Sequence, residues 1–178
     1  HRLGDLLGYI LGMPAIEGAI EKVNIKKDGK VEFKVISNIS PKGICGSGLI
    51  DLVAEMLKHG IVDNTGKMKE QNFILYKKGK NKIYITQSDI RKMQLAKAAI
   101  YAAVKILMRQ LNVDVSGISK IYLTGSFGNS INAENAISIG LIPRISVSKV
   151  EFIKDAPLIG AKRYILSEEI QSQLTSIL

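Results

Sequence analysis

The sequence predicts an α/β fold with a mixed sheet, flanking helices and two β-hairpins. Three observations carry this. Residues 20–36 alternate apolar and polar around Lys27-Asp28-Gly29. From Thr86 onward, apolar residues recur at threes and fours over some seven turns. After residue 120, short apolar strands alternate with helical segments, the pattern of a layered fold with parallel strands.

The first hairpin has two registers to choose between. A two-residue Asp-Gly loop would set Ile25 opposite Glu32 and put the two apolar sets on opposite faces. A three-residue loop with Gly29 in the left-handed bulge position aligns Val23 with Phe33 and Ile25 with Val31. The bulged turn is the reading that keeps one apolar face. Next, Ser47 is placed as the N-cap of a helix running to about His59. Its buried side would be Leu49, Leu52, Val53, Met56 and Leu57, with Gly60 as the stop. Residues 73–76 and 82–86 read as a second hairpin, a surface insertion with lysines at its tip. Thr86 with Asp89 forms a capping-box pattern at the start of the long helix, whose stripe is Ile90, Met93, Ala96, Ile100, Ala103, Leu107 and Leu111. Ala96, Ala98, Ala99, Ala102 and Ala103 would let a helix or sheet approach closely, which marks this as a central packing element. Residues 120–124 form a strand, and the Gly125 turn leads to a helix around Ala133–Ile139, ended by Gly140 with Pro143 beyond. Val147–Ile153 is another strand. Asp155 then caps a helix with Pro157 in its first turn, and Ser167 caps a last, polar-faced helix from Glu168 to Leu178.

A chain of 178 residues with 46% hydrophobic content can bury one sizeable core. Its longest apolar stretches fall far short of the ~20 residues of a membrane span, and no targeting segment is visible. One cysteine and two histidines leave little for a metal site or a disulfide. A reducing cytoplasm is the default compartment. The net charge is +9, and lysines cluster at Lys26-Lys27, Lys77-Lys78, Lys80 and Lys82. These fall in hairpin turns without interleaved stacking aromatics, so they read as solvated tips, or as a contact for a negatively charged partner protein or a polyphosphate ligand, before they read as a nucleic-acid site. The chain opens on His1 and Leu3-Gly4-Asp5-Leu6-Leu7-Gly8, like the middle of a fold, and a fragment of a longer protein is expected.

Two glycine-bearing turns about eighty residues apart hold the chemical interest. Gly43-Ile44-Cys45-Gly46-Ser47-Gly48 opens an apolar helix, and Leu123-Thr124-Gly125-Ser126-Phe127-Gly128-Asn129 closes an apolar strand. Glycine lets the backbone approach a ligand, and free amides at a helix start favour an anion. The carboxyl edge of a strand in an open α/β sheet is the usual place for a ligand. Each turn can also be glycine-bearing for steric reasons alone. The first lacks the Gly-Lys-Ser/Thr of a Walker loop and the spacing of a dinucleotide fingerprint. Acid and base candidates are scattered: Glu17, Asp51, Asp63, Asp89 and Asp155 each adjoin a turn or helix start, where carboxylates usually cap. Cys45 beside the glycines is either a thiol activated by the helix start or a small buried filler. Ser47 has no histidine nearby in sequence, so a nucleophilic hydrolase is not called for.

Taken in order, Gly12-Met13, Ala15, Gly18-Ala19-Ile20-Glu21, Gly43-Ile44-Cys45-Gly46-Ser47-Gly48-Leu49-Ile50-Asp51, Thr86-Gln87, Asp89-Ile90, Gln94, Lys97, Ala99-Ile100, Leu123-Thr124-Gly125-Ser126-Phe127-Gly128, Ile139-Gly140-Leu141-Ile142-Pro143 and Gly160-Ala161 form a pattern. It resembles the carboxy-terminal ATPase region of the reductive activators of corrinoid proteins, within the superfamily of acetate and sugar kinases, heat-shock chaperones and actin. The likeness spans almost the whole chain. It implies that residues 1–178 are one C-terminal lobe of an actin-like, RNase H-like ATPase domain. The amino-terminal ferredoxin module with its [2Fe-2S] cluster and the phosphate-binding hairpins would lie upstream. By the same resemblance, the lobe binds ATP or ADP with Mg and serves the ATP-dependent reduction of a Co(II) corrinoid protein to Co(I). The fragment alone would be inactive and hold no catalytic residue for hydrolysis. Gly46, Ser47 and Gly48 match the helix start that faces the nucleotide, and Gly125, Ser126, Phe127 and Gly128 match the adenosine turn. Gln94 and Lys97 match positions near the adenine. Ser126 departs from the family, which often has a second glycine there. The [4Fe-4S] site of the more distant 2-hydroxyacyl-CoA dehydratase activators does not carry over, because it needs cysteines this chain lacks. The expected partners are a corrinoid protein with an acidic or neutral surface and the upstream modules, with a homodimer as a way to complete the sheet. The alternatives are a partner-binding scaffold that does not use ATP and a small-acid or sugar kinase.

Overall fold

The computed structural model of the chain describes residues 12–125 and 130–175. Strands β1 (Ala19–Ile25) and β2 (Val31–Val35) pair antiparallel, with Val23 opposite Phe33 and Ile25 opposite Val31. This is the register that the bulged turn predicts. Gly29 takes φ +84°, and the Asp28 carboxylate accepts the Lys30 amide at 2.9 Å, so the turn is fixed by its own residues. β3 (Gly43–Ile44) pairs parallel with Ala19 and Ile20 on the other side of β1, giving a sheet of order β2-β1-β3.

The chain leaves β3 directly into helix α1 (Gly46–Lys58), which lies along β1. Two further pairs complete the described strands. β4 (Asn72–Lys78) and β5 (Asn81–Thr86) are antiparallel, and β6 (Ile121–Thr124) and β7 (Val150–Ile153) are parallel. The remaining described helices are α2 (Gln87–Gln110), α3 (Ala133–Ser138), α4 (Ala156–Leu166) and α5 (Glu168–Thr175). One core joins β1, β3, α1, β5 and the first turns of α2, with Ile20, Ile44, Ile50, Met56, Ile85 and Ile90 all but fully buried.

At Gly48, α1 meets the backbone of β1. A Cβ built there would lie 2.3 Å from the Ile20 carbonyl oxygen, so only glycine lets the helix start rest on the strand backbone. Beyond Ile20, β3 has ended, and the outward backbone groups of β1 need other partners. The helix supplies them. The Ser47 hydroxyl donates to the Glu21 carbonyl (3.0 Å), the Val23 amide donates to the Asp51 carboxylate (3.4 Å) and the Ile25 amide to the Glu55 carboxylate (2.9 Å). The spacing works because four helix residues advance about 6 Å and two strand residues about 6.6 Å. Asp51 also accepts the side-chain amide of Asn135 at 2.7 Å, which ties α3 to α1.

Several expectations are corrected. Ser47 is not the N-cap of α1: Cys45 holds that position and Ser47 is buried inside the first turn, because the close Gly48 contact draws the helix start onto β1. The β4–β5 pair is more than a surface insertion, since Leu75, Ile83 and Ile85 join the core. Thr86 and Asp89 do form the capping box at the start of α2. That helix is buried only at Asp89, Ile90, Met93 and Ala96; Ala98, Ala99, Ala102 and Ala103 are exposed, and Leu107 and Leu111 are 57% and 72% exposed. Only its first turns lie over the core, and none of the described elements covers the rest. Residues 147–149 form a 3-10 turn before β7 rather than part of the strand. Asp155 stands at the N-cap of α4 with φ +53° and makes no side-chain cap, whereas the Ser167 hydroxyl accepts the Ile170 amide at 3.3 Å.

Burial pushes the Asp51 carboxyl up, and the pull of Asn135, the Val23 amide and Lys22 does not fully offset it. Burial also acts upward on Glu55, but the Ile25 amide together with Lys58 and His59 outweighs it and holds the group below its usual value.

Two predictions follow from this contact. Gly48→Ala should lower unfolding stability by about 1–3 kcal/mol in urea denaturation through overpacking. Gly160→Ala, where a Cβ meets nothing within 4 Å, should be neutral or stabilising by up to about 1 kcal/mol from helix propensity. Equal effects at the two sites would refute the close contact. For Glu55, whose folded value is depressed, the stabilisation is present above the ordinary carboxylate value and is lost as pH falls through the folded one. Glu55→Gln should therefore cost about 1–3 kcal/mol at neutral pH, with the gap to wild type closing in acid. Asp51→Asn should run the other way, its gap shrinking as pH rises from the ordinary value through the raised one. Urea titrations from neutral pH down to well below the ordinary carboxylate value read both slopes, and parallel slopes would sink the assignment.

Candidate functional site

The Gly46-Ser47-Gly48 turn begins α1 at the point where β3 ends. No side chain caps this first turn, which leaves the end of the helix, with its partial positive charge, without an internal acceptor. Gly46 is half-buried and borders the surface; Ser47 and Gly48 are turned inward. The Ser47 hydroxyl is committed to the Glu21 carbonyl and lies 3.3 Å from the Cys45 sulfur. The Cys45 thiol donates to the Ile20 carbonyl at 3.3 Å and is almost fully buried, so of its two readings the small buried filler is the one the packing supports. The backbone of this turn, rather than its side chains, is therefore what it can offer a ligand.

Gly125 follows the last residue of β6, at the carboxyl end of the parallel β6–β7 pair, where Thr124 sits opposite Ile153. It takes φ +82°, and a Cβ at this position would meet nothing within 4 Å. Here the glycine serves backbone conformation, with open space beside it. Ser126, Phe127 and Gly128 lie outside the described residues.

Gln94 and Lys97 lie one helical turn apart on α2 and line the same cleft, with Val53 and Leu57 of α1 opposite. The Gln94 amide donates to the Thr65 carbonyl (3.0 Å) and accepts from Arg91 (2.6 Å), which itself reaches the Thr65 carbonyl at 2.9 Å. The Lys97 ammonium sits 3.7 Å from where a Cβ on Gly140 would stand. The cleft encloses about 60 Å³, enough for a few water molecules. Among the described residues, no hydrogen bond joins the Gly46–Gly48 turn to Gly125 or to this cleft.

The rim of the cleft is a loop that the sequence reading passed over. Its Asp63 carboxylate accepts the Thr65 amide (2.8 Å), the Thr65 hydroxyl (2.7 Å) and the Lys67 amide (2.9 Å), and the Thr65 hydroxyl and these amides hold its pKa below the usual range. Gly66 closes the turn at φ +79°, with the Gln94 amide where a Cβ would stand. Gln87 pins the same loop from the start of α2, accepting the Met68 amide (2.8 Å) and donating to the Gly66 carbonyl (2.7 Å). The signal was present as Asp63-Asn64-Thr65-Gly66, a turn sequence between two apolar residues, Val62 and Met68. As for the acid and base candidates, the carboxylates of Asp51, Asp63 and Asp89 each accept a backbone amide in a structural contact.

Comparison with known proteins finds likeness along the chain. The family described as "C-terminal domain of RACo the ASKHA domain" matches residues 8–178. Among curated proteins, the chain is similar to the "Corrinoid activation enzyme RamQ" of Eubacterium limosum, 34% identical over 186 residues, covering 91% of this chain and 31% of that protein. It is also similar to the "[Co(II) methylated amine-specific corrinoid protein] reductase" of Methanosarcina barkeri, 29% identical over 123 residues, covering 69% and 22%. Among solved structures, a "Reductive activator for corrinoid,iron-sulfur protein" superposes with a TM-score of 0.83 at 34% identity, covering 98% of this chain and 31% of that one. The chain thus spans about a third of the length of RamQ and of that solved activator. It belongs to the family of the C-terminal domain of RACo, the ASKHA domain.

Proposed function

We propose that this chain is the nucleotide-binding lobe of an ATP-dependent reductive activator that takes a corrinoid protein from Co(II) to Co(I). The observation that carries this reading is the likeness to a solved reductive activator along 98% of the chain at 34% identity. In this reading the lobe is RNase H-like, the compartment is the cytoplasm, and the nucleotide is ATP or ADP with Mg. Among the described residues, no helix is long and apolar enough to cross a membrane.

The residues present fit a nucleotide. The first turn of α1 carries no side-chain cap, so its backbone amides can face a phosphate or ribose oxygen. Gly125 stands in the left-handed conformation with open space at its Cα, which admits a flat group close to the backbone. Gly46, Ser47 and Gly48 would hold the nucleotide from the helix side, and Gly125, Ser126, Phe127 and Gly128 from the strand side. Gln94 and Lys97 fit the adenine side only if their cleft widens, since it now admits water alone. An iron-sulfur cluster does not fit here. The chain has one cysteine, and no three His, Cys, Asp or Glu side chains gather among the described residues. A [2Fe-2S] cluster is assigned to an upstream module of the longer protein.

Reduction of Co(II) to Co(I) takes one electron, which the cluster module would lose. Hydrolysis of bound ATP supplies free energy for a step that is otherwise uphill. For this lobe the requirement is a differential one: it must grip ATP and ADP differently in two arrangements, because a ligand shifts an equilibrium only by its differential affinity. A helix start seated rigidly on β1 at Gly48 gives one fixed wall for such a grip.

The test uses the full-length protein with a cob(II)alamin-loaded corrinoid protein and a chemical reductant. Appearance of the Co(I) spectrum only when Mg-ATP is present is the expected outcome. Amide NMR of the same protein with Mg-ADP should shift Gly46–Gly48 and Gly125 while leaving the β4–β5 amides in place. Phosphate transfer to a small acid or sugar without cobalt reduction would replace this reading with a kinase.

A further inference from the structure

The net charge of +9 is not spread over the molecule. Residues 67–109 hold eleven lysines and arginines against two acids, and the rest of the chain balances at fourteen against fourteen. Within that stretch, β4 and β5 turn through Gly79-Lys80, and a bulge between Ile74 and Tyr76 sets Lys77 directly opposite Lys82. Like charges facing across a ladder oppose pairing. Here the fold keeps them, and among the described residues no carboxylate lies within ion-pair range of Lys77, Lys78, Lys80 or Lys82. Lys26, Lys34 and Lys58 each have such a partner.

The bulge also sorts the two faces. Leu75, Ile83 and Ile85 enter the core. The outward face presents Ile74, 42% exposed, beside its cross-strand neighbour Tyr84, with Lys77 and Lys82 at the tip side. The Lys82 ammonium lies 4.7 Å from the centre of the Tyr84 ring. An apolar and aromatic centre edged by free cations has the make-up of a protein contact. A nucleic acid would need the ring face to stack bases, and Lys82 covers one side of it. A small polyphosphate would need the ammonium groups to converge on a pocket, whereas these line a strand pair.

We propose that the outer face of β4–β5, with Ile74 and Tyr84 flanked by Lys77, Lys80 and Lys82, docks an acidic surface of the corrinoid protein. This rests on the activator reading above and adds the place and the chemistry of the contact. A small, electrostatically steered interface suits a redox encounter that must form quickly and release its product.

The experiment compares the full-length wild type with Lys77→Glu/Lys82→Glu and with Lys27→Glu/Lys30→Glu, which makes the same charge change on the β1–β2 turn. The probe is cob(II)alamin-loaded corrinoid protein isolated from the source organism. At low salt the first variant should bind it at least about tenfold more weakly, and high salt should narrow that gap. The second variant should stay within about twofold of wild type, and all three should bind Mg-ADP alike. Acetylation footprinting should find Lys77, Lys80 and Lys82 reactive in the free protein and protected once the corrinoid protein is added. Equal losses in both variants, or none in the first, would overturn the docking site while leaving the activator reading intact. Protection before any partner is added would assign the face to an upstream module instead. Competition by a single-stranded oligonucleotide of twenty thymidines would assign it to nucleic acid. Failure of the wild type to bind or reduce the corrinoid protein would sink the reading and the docking site together.

Discussion

The arrangement rests on one mismatch that the sequence repairs: β1 is a seven-residue strand whose outer neighbour, β3, is two residues long. A strand edge that points into packed structure cannot leave its amides and carbonyls unpaired. Helix α1 takes over where β3 stops, and Ser47, Asp51 and Glu55 act along it as a surrogate strand. Their spacing of four on the helix matches the spacing of two on the strand to within about an ångström per step. Helix and strand must therefore run together in one register. A one-residue slip would take the strand amides away from two buried carboxylates, leaving Asp51 with Asn135 and Glu55 with Lys58 alone as hydrogen-bond donors, and an under-satisfied buried charge costs more than one lost hydrogen bond.

The placement of the candidate site follows from that register. Gly48 has to lie over Ile20, which fixes the first turn of α1 at the end of β3, with Gly46 toward the surface. Through its second oxygen, Asp51 holds Asn135 and with it the short helix α3. The chain leaving α3 passes through Gly140, where the Lys97 ammonium is within van der Waals range of a would-be Cβ. So the glycine turn and the Gln94–Lys97 cleft, which share no hydrogen bond among the described residues, are set against one another by α1 and α3.

Features decided by neighbours in sequence were legible. The bulged turn at Gly29, the Thr86–Asp89 capping box and the Gly60 stop all depend on residues within a few positions, and the structure has them as read. The polar ladder on α1 was not legible, because Asp51 reads locally as a capping carboxylate near a helix start, and nothing local singles out Glu55 until β1 is known to lack a neighbour. Ser47 was misplaced for the same reason: serine before an apolar run is a good cap by local rules, and only the contact with Ile20 decides against it. On α2, periodicity identifies an apolar stripe but not whether anything covers it, and Leu107 and Leu111 stand exposed. Of the candidate site, the helix start after Cys45 and the strand end before Gly125 could be read. The Asp63–Gly66 loop that rims the cleft could not be ranked above other turns without knowing that Gln87, Arg91 and Gln94 reach it.

A longer β3 would have satisfied β1 without burying a charge, since strand amides and carbonyls pair with no desolvation of ions. The chain instead turns helical after two residues and recruits two carboxylates, one of which burial pushes up. What this arrangement supplies, and a continued strand would not, is a helix start at the edge of the sheet. Unpaired amides and the positive end of a helix dipole then stand where the parallel β1–β3 pair terminates, the position at which open α/β sheets present ligands. The buried acids, the glycine that lets α1 touch β1 and the missing side-chain cap at Cys45 are then consequences of one choice: to end a strand early and bring a helix start to its edge.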